Sequence, residues 1–308
     1  QAREGEGVNE LLWWLDLLVG VGIFTLLAVS LNLINGHAGM FHLGHHGFWA
    51  LGAYAATIVT LQLHGSVPGP LVYLASMGAA MAAALAGGML IGIPCLRLRG
   101  DYLAIATLGF GEIVWRGIAT VNAQAIQVPR VLMDVNVRTK FSFRWLTLGI
   151  VAALCALAIW GIRNFIRSRH GRRLLAVAQD ETAAGLLGIN PTRPKVLAFA
   201  IGSALAGLAG AVSVHFFGTV APQDFKFMPM VKMFLMIVLG GMGSLSGSVV
   251  GAFLVVGTER ALQRTGGWIY DWWTVEFPLL LALLIIFRPQ GIVGRRELVD
   301  FFRRRRTA

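Results

Sequence analysis

Charge is scarce in this sequence. Asp, Glu, Lys and Arg make up 13% of its 308 residues, where a soluble domain carries about 25%. Acidic residues are the scarcer sign, 15 against 26 basic ones, for a net charge of +11. Four of the basic residues are lysines (Lys140, Lys195, Lys226 and Lys232), and none follows a glycine. No G-x-x-x-x-G-K-[ST] run occurs, so the chain cannot cradle ATP phosphates in the P-loop manner. Cysteine is almost absent: Cys95 and Cys155 lie in or at the end of apolar runs and make neither a disulfide framework nor a metal site. The polar stretches hold no nucleophile–base arrangement, so no catalytic residues are expected and the chain reads as a non-enzyme without a cofactor of its own. The basic clusters lack a folded module with groove-reading geometry, which argues against nucleic acid as a partner. The chain begins at Gln1 rather than Met, and Arg3 to Asp16 has no signal-peptide pattern; an N-terminal piece is expected to be missing.

Apolar residues fill the space that charge leaves. They make up 56% of the chain, and the mean hydropathy is +0.69. Several runs reach the roughly 20 residues that a spanning helix needs. They fall at 11–34, 41–63, 71–96, 102–123, 145–162, 195–217, 230–258 and 274–287. The fold expected is all-α, a polytopic transmembrane bundle of about eight spans forming one domain over 1–308. Basic residues cluster between spans: seven at 163–195 and seven at 288–306. Loops rich in Lys and Arg stay in the cytoplasm, and such clusters also contact lipid headgroups. On that rule Arg97-Leu98-Arg99-Gly100-Asp101 is cytoplasmic, the acidic N-terminus (Glu4, Glu6, Glu10, Asp16) is external, and 163–195 is cytoplasmic again. The loop 124–144, with Arg130, Arg138, Lys140 and Arg144, fits poorly on the outer side.

Parity demands a further device. A single span at 230–258 would put the basic tail 288–308, with Arg303 to Arg306, outside. The run is longer than one span needs, and its middle reads Gly240-Gly241-Met242-Gly243-Ser244-Leu245-Ser246-Gly247. Two half-helices of 11–12 residues, each reaching about 17 Å, would make a broken or re-entrant segment and return the tail to the cytoplasm. Unwound backbone at membrane depth must then be surrounded by protein or line a watered cavity; the plainer alternative is one tilted helix with a close-packing glycine face. A second break is expected at Asn35 to Gly47. Each break leads into a small-residue helix (47–56 and 247–256), a pattern that hints at an internal repeat of the kind seen in transporters. Trp268, Tyr270, Trp272 and Trp273 suit an outer aromatic belt.

The polar interruption 172–195 carries a short helix stopped at Gly188-Ile189-Asn190-Pro191. Asp180 and Glu181 favour its N-terminal end. Thr182, Ala183, Ala184, Leu187 and Gly188 follow, with Ala184 and Gly188 four apart and therefore on one smooth face able to seat in a groove of another protein. An ordinary loop helix is the alternative. Glu112 is the sharpest single residue: it lies about 16 Å along its helix from Asp101, where charge is costly and tends to be paired or functional. Arg116, one turn on, is its ready partner. The pair either fixes helix packing inside the protein or acts in gating or at a subunit interface. Asp101 is read as a helix cap. The imidazoles His37, His42, His45 and His46 could ligate a metal, but no carboxylate or thiolate accompanies them, and their reading here is as polar groups satisfying a broken backbone.

These motifs together carry a family resemblance over nearly the whole length. Ser30-Leu31-Asn32-Leu33, the His42-Leu43-Gly44-His45 turn, Leu96 to Tyr102, Thr107 to Ile113, Gly188-Ile189-Asn190, Leu205 to Gly210, Gly240 to Ser244 and Phe287-Arg288-Pro289-Gln290-Gly291 resemble the permease subunits of branched-chain amino-acid ABC importers. Two departures stand out: His42 replaces the usual Ser of a Ser-Leu-Gly-His turn, and Asn122-Ala123-Gln124-Ala125-Ile126 replaces a glycine-rich segment. The resemblance implies that Asp180, Glu181, Thr182, Ala183, Ala184, Leu187 and Gly188 form a coupling helix within a cytoplasmic region 163–195. It also implies a second homologous permease subunit, two ATPase subunits that bind the ATP, an external solute-binding protein, and an amino-acid cargo crossing a bacterial inner membrane by alternating access. Asn32, His45, Glu112, Arg116, Gly241 and Gly243 are the candidates for the path or its gates. A urea or short-amide importer, and a stand-alone ion-coupled carrier using Glu112 and the histidines, are the alternatives; a mere structural anchor would tolerate charge reversal at Glu112.

Overall fold

In the computed structural model, residues 2–95, 98, 100–121, 124–129, 131 and 137–265 are described, with 279, 281–283, 286–287, 291–292 and 294 beyond them. Arg97, Arg99, Asn122, Ala123, Arg130, the Trp268–Trp273 group, most of the run 274–287 and the tail from 295 lie outside the described residues.

The bundle is built from α1 (Ala2–Asn32), α2 (His45–Leu63), α3 (Gly69–Cys95), α4 (Asp101–Val121), α5 (Val137–Arg167), α6 (Arg169–Gln179), α7 (Glu181–Leu186), α8 (Thr192–Phe217), α9 (Phe227–Gly240) and α10 (Leu245–Thr265). Among the described residues six helices are long and apolar enough to cross a membrane: α1 with its extension to His37, α3, α4, α5, α8 and α10. With α2 and the shorter α9 among the described residues, the polytopic helical class is as the sequence predicts. The run expected at 145–162 is longer, because α5 starts at Val137 and continues to Arg167.

Small residues set the packing. Near the middle of the molecule α2, α3 and α8 meet through glycines whose replacement by any larger residue would drive Cβ into a neighbour: Gly52 and Gly207 abut each other, and Gly210 lies against Trp49 and Ala53. Without water to expel, helices in lipid associate through such close van der Waals contact. α1 runs through the centre of the bundle, touching α5, α8, α9 and α10. α4 and α5 are the least enclosed spans.

Contacts at the helix ends sort the molecule into two poles. At one pole Gly39, after α1, lies beside Ala178 of α6, and Lys195 at the start of α8 pairs with Glu181 of α7 at 2.8 Å. At the other, Arg264 at the end of α10 pairs with Glu10 of α1 at 2.8 Å. The far ends of α4 and α8 are joined there by a two-residue antiparallel ladder, β1 (Ile126–Gln127) on β2 (Thr219–Val220). Val128 N–H adds a bond to Gly218 C=O at 2.9 Å. Arg144, from the basic loop that fitted poorly, is paired with Asp16 of α1, so its charge is compensated within the protein.

The glycine-rich middle of 230–258 does break the helix. α9 ends at Gly240, α10 begins at Leu245, and Gly241 and Gly243 between them take φ of 115° and 87°. The limbs are unequal, however, and not the half-helices of 11–12 residues expected. α9 has 14 residues and α10 has 21, about 21 and 32 Å long. The turn therefore lies deep, near the α6–α7 pole, and the hairpin reaches well past the midplane expected of it.

Candidate functional site

The two expected breaks are one junction. After Asn32 the first helix loosens into a π-turn (Leu33–His37) and ends before Met40, and α2 restarts at His45. Asn32 is fully buried and reaches across to the second break. Its amide NH2 donates to Ser244 C=O at 2.8 Å and to Ser248 Oγ at 2.7 Å. Its Oδ1 accepts from Gly243 N–H at 2.8 Å. One side chain thus satisfies the Gly243 N–H freed by unwinding, the condition for irregular backbone at membrane depth, and ties the first turn of α10 to α1. Gly36 must be glycine because a Cβ there would strike Asn32 Oδ1 and the Gly243 backbone. Past the last apolar run, Ile292 N–H donates to Leu239 C=O at 2.8 Å and Gly294 lies against Gly241, so this following segment also packs on the break.

His45 starts α2 and holds Ser30 Oγ of α1 at 2.8 Å with Nε2. His42 stacks on Phe48 at 5.5 Å and meets Phe199 edge-on at 4.9 Å between ring centres. Neither of its ring nitrogens has a hydrogen-bond partner among the described residues. The imidazoles therefore serve backbone and packing in part only, and the expectation that they satisfy the broken backbone holds for His37, whose Nδ1 meets Asn32 C=O at 3.2 Å, and not for His42. Among the described residues no three His, Cys, Asp or Glu side chains are arranged to hold a metal.

Glu112 and Arg116 are together but loosely, at 3.8 Å. Arg116 faces outward, 76% exposed at the side chain, while Glu112 is partly covered at 31%. The pair joins two turns of one helix and does not itself bridge two helices. Asp101 opens α4 in its first turn, where the helix dipole favours an acid.

The short helix of the polar interruption is α7. Asp180 Oδ1 caps it by accepting from Thr182 N–H at 2.8 Å and Ala183 N–H at 2.9 Å. Gly188, at φ 77°, stops it, with Ile189 N–H returning to Ala184 C=O at 3.0 Å. The smooth face expected of Ala184 and Gly188 does not form. The helix ends at Leu186, so Gly188 lies outside it, and Ala184 is buried against the protein itself. What the helix presents outward is Leu186 and Leu187, 87% and 80% exposed. Exposed leucines side by side mark an interaction site more readily than a solvated loop does.

Two polar pairs were missed by sequence reasoning. Lys232 of α9 pairs with Glu259 of α10, and its ammonium lies 4.3 Å from the Phe24 ring. His215 Nε2 meets Ser76 Oγ at 2.8 Å, joining α8 to α3. The signal was available: each is an isolated ionisable group within or beside an apolar run, which in a membrane implies a partner.

Comparison with known proteins completes the picture. Residues 14–287 match the family model described as branched-chain amino acid transport system / permease component. The chain is 34% identical to the high-affinity branched-chain amino acid transport system permease protein LivM of Salmonella typhimurium, over 90% of this chain and 69% of that one. It is also 29% identical to LivH of Escherichia coli, with 89% and 92% covered. BraD of Pseudomonas aeruginosa is 30% identical over the same shares. With its multiple membrane-spanning helices and its match over most of its length, this chain belongs to the permease components of branched-chain amino acid transport systems.

Proposed function

We propose that this chain is one of two homologous membrane subunits of an ATP-driven importer for branched-chain or other apolar amino acids, in the inner membrane of a bacterium. Its similarity to both LivM and LivH, two permease proteins of one kind of transport system, supports pairing with a second permease. ATP is bound and split by two separate ATPase subunits, and an external binding protein delivers the cargo. The α6–α7 pole, within 163–195, is the cytoplasmic one, and 1–308 works as one domain with its basic tail 288–308 on the same side. The β1–β2 ledge and the loop 62–70 receive the binding protein.

The observation that carries the reading is the route from α7 to the breaks. Leu186 and Leu187 face outward, ready for an ATPase groove. Lys195 ties α7 to α8, and Ala178 of α6 bears on Gly39 in the first break. Asn32 then passes any movement to Gly243 in the second. A push on α7 is thereby delivered to the two places where the spans are least regular and most able to pivot. In this scheme Asp180, Glu181, Thr182, Ala183, Ala184, Leu187 and Gly188 shape the lever, while Asn32, His45, Gly241 and Gly243 form the pivot of alternating access.

The test is reconstitution with the ATPase and binding protein in proteoliposomes. Leu186→Asp with Leu187→Asp should abolish solute uptake and its coupling to ATP hydrolysis, while the complex-free permease keeps its melting temperature. Uptake by the purified chain alone, with no ATPase present, would refute the importer and favour an ion-coupled carrier. Uptake of urea or a short amide in preference to leucine would move the cargo and leave the mechanism.

A further inference from the structure

The spans differ in what they show to their surroundings. α3 exposes Leu71, Leu74 and Leu90, and α5 exposes Leu157 and Trp160; such faces suit lipid tails. α4 does not. Its outward stripe runs Tyr102, Ile105, Gly109, Ile113 and Arg116 at helical spacing, with Glu112 beside Ile113. Glu112 stands 11 residues after Asp101 and nine before Val121, about 16 and 14 Å from the two ends, so this carboxylate lies near the middle of the span.

The other ion pairs among the described residues sit at helix ends or between helices of this chain: Glu10–Arg264, Asp16–Arg144, Glu181–Lys195 and Lys232–Glu259. Glu112–Arg116 alone among them is both central and open. At 3.8 Å it leaves most donors of the guanidinium and most lone pairs of the carboxylate unmet, which hydrocarbon cannot supply. Gly109 and Gly117 add a second mark. Nothing in this chain approaches within 4 Å of where their Cβ atoms would be, so no internal contact calls for glycine at either place. Open glycines occur on other helices as well; on α4 they flank a charged pair, Gly109 three residues before Glu112 and Gly117 next to Arg116.

We infer that this face of α4 is the docking surface for the second permease subunit, which brings a helix close against Gly109 and Gly117 and completes Glu112 and Arg116 with polar or charged groups at the same depth. The inference rests on the reading that the chain works in a permease pair. A partner of the same family suits the surface because a homologous chain offers spans of matching length to lie along α4 over its whole height, with protein rather than lipid around the charges.

The test is cross-linking in membranes that co-express this chain with the second permease, after Cys95→Ala and Cys155→Ala remove the native thiols. Gly109→Cys and Ile113→Cys, each combined in turn with cysteines along the partner's spans, should give a cross-linked heterodimer, whereas Leu90→Cys on α3 and Leu157→Cys on α5 should not. In parallel, Glu112→Gln with Arg116→Gln should lower co-purification of the partner at least tenfold at equal membrane abundance. If the partner co-purifies with the unaltered α4 but cross-links from α3, from α5 or from none of these positions, the α4 assignment is overturned while the pair stands. Adducts between two copies of this chain would replace the partner by a second copy and overturn it too. If the partner never co-purifies with the wild-type chain, the pair reading itself fails and the inference with it.

Discussion

Asn32 carries more of this architecture than its size suggests. Of its three hydrogen bonds, one takes up the Gly243 N–H that the second break frees and two hold the first turn of α10, and a buried polar group left unpaired costs about 1–3 kcal/mol. Asn32→Ala should therefore lower the melting temperature of the purified permease markedly, and Asn32→Leu, which fills the space and satisfies nothing, should not rescue it. The glycines give a graded test. Gly188 and Gly241 both hold positive φ, but open space surrounds Gly188 and the Gly294 backbone crowds Gly241. Gly188→Ala should cost about 1–2 kcal/mol from backbone conformation alone; Gly241→Ala should cost more, because Cβ must also displace the packed chain. Thermal unfolding of the two variants side by side measures the difference. The sequence marked Gly188 as a helix stop and Gly241 as part of a break, yet could not show which one another segment would touch.

Among the elements, the α9–α10 hairpin is the best place to see what was legible and what was not. Its break was readable because a glycine–serine run interrupts an apolar stretch too long for one span. Its depth was not, because Lys232 and Glu259 stand 27 residues apart and meet only after the chain has turned. This pair predicts a specific asymmetry. Lys232→Met alone strands a carboxylate between helices and should destabilise by about 3–5 kcal/mol, while Lys232→Met with Glu259→Leu should recover most of that loss; denaturation of the single and double variants in detergent checks it. α7 shows the converse. Its capping acid and stopping glycine were legible residue by residue, but its outward face was assigned to Ala184 and Gly188 on the assumption that the helix ran one turn further. Only the early stop at Leu186 turns Ala184 inward and leaves the leucines to make contact.

For the whole molecule, the spans and the charge distribution together fix two poles, and most of that was visible in the spacing of apolar runs. The links between poles were not, since α1 meets α10, and β1 meets β2, across long stretches of chain. Sidedness gives the clearest check. A cysteine at Leu187 should react with an impermeant maleimide only after the cytoplasmic face is opened, and one at Gln127, on the β1–β2 ledge, should react from outside in intact cells; the reverse labelling would invert the arrangement proposed.

The amide of Asn32 also sets a timetable for biogenesis. Its acceptors and donors lie 211 to 216 residues further along the chain, so α1 enters the bilayer with this group unmatched and waits through most of translation for its mates to emerge. Nascent chains cut short before Ser248 should thus linger in the insertion machinery or be handed to membrane proteases, and the permease becomes a sealed body only in its closing act of synthesis.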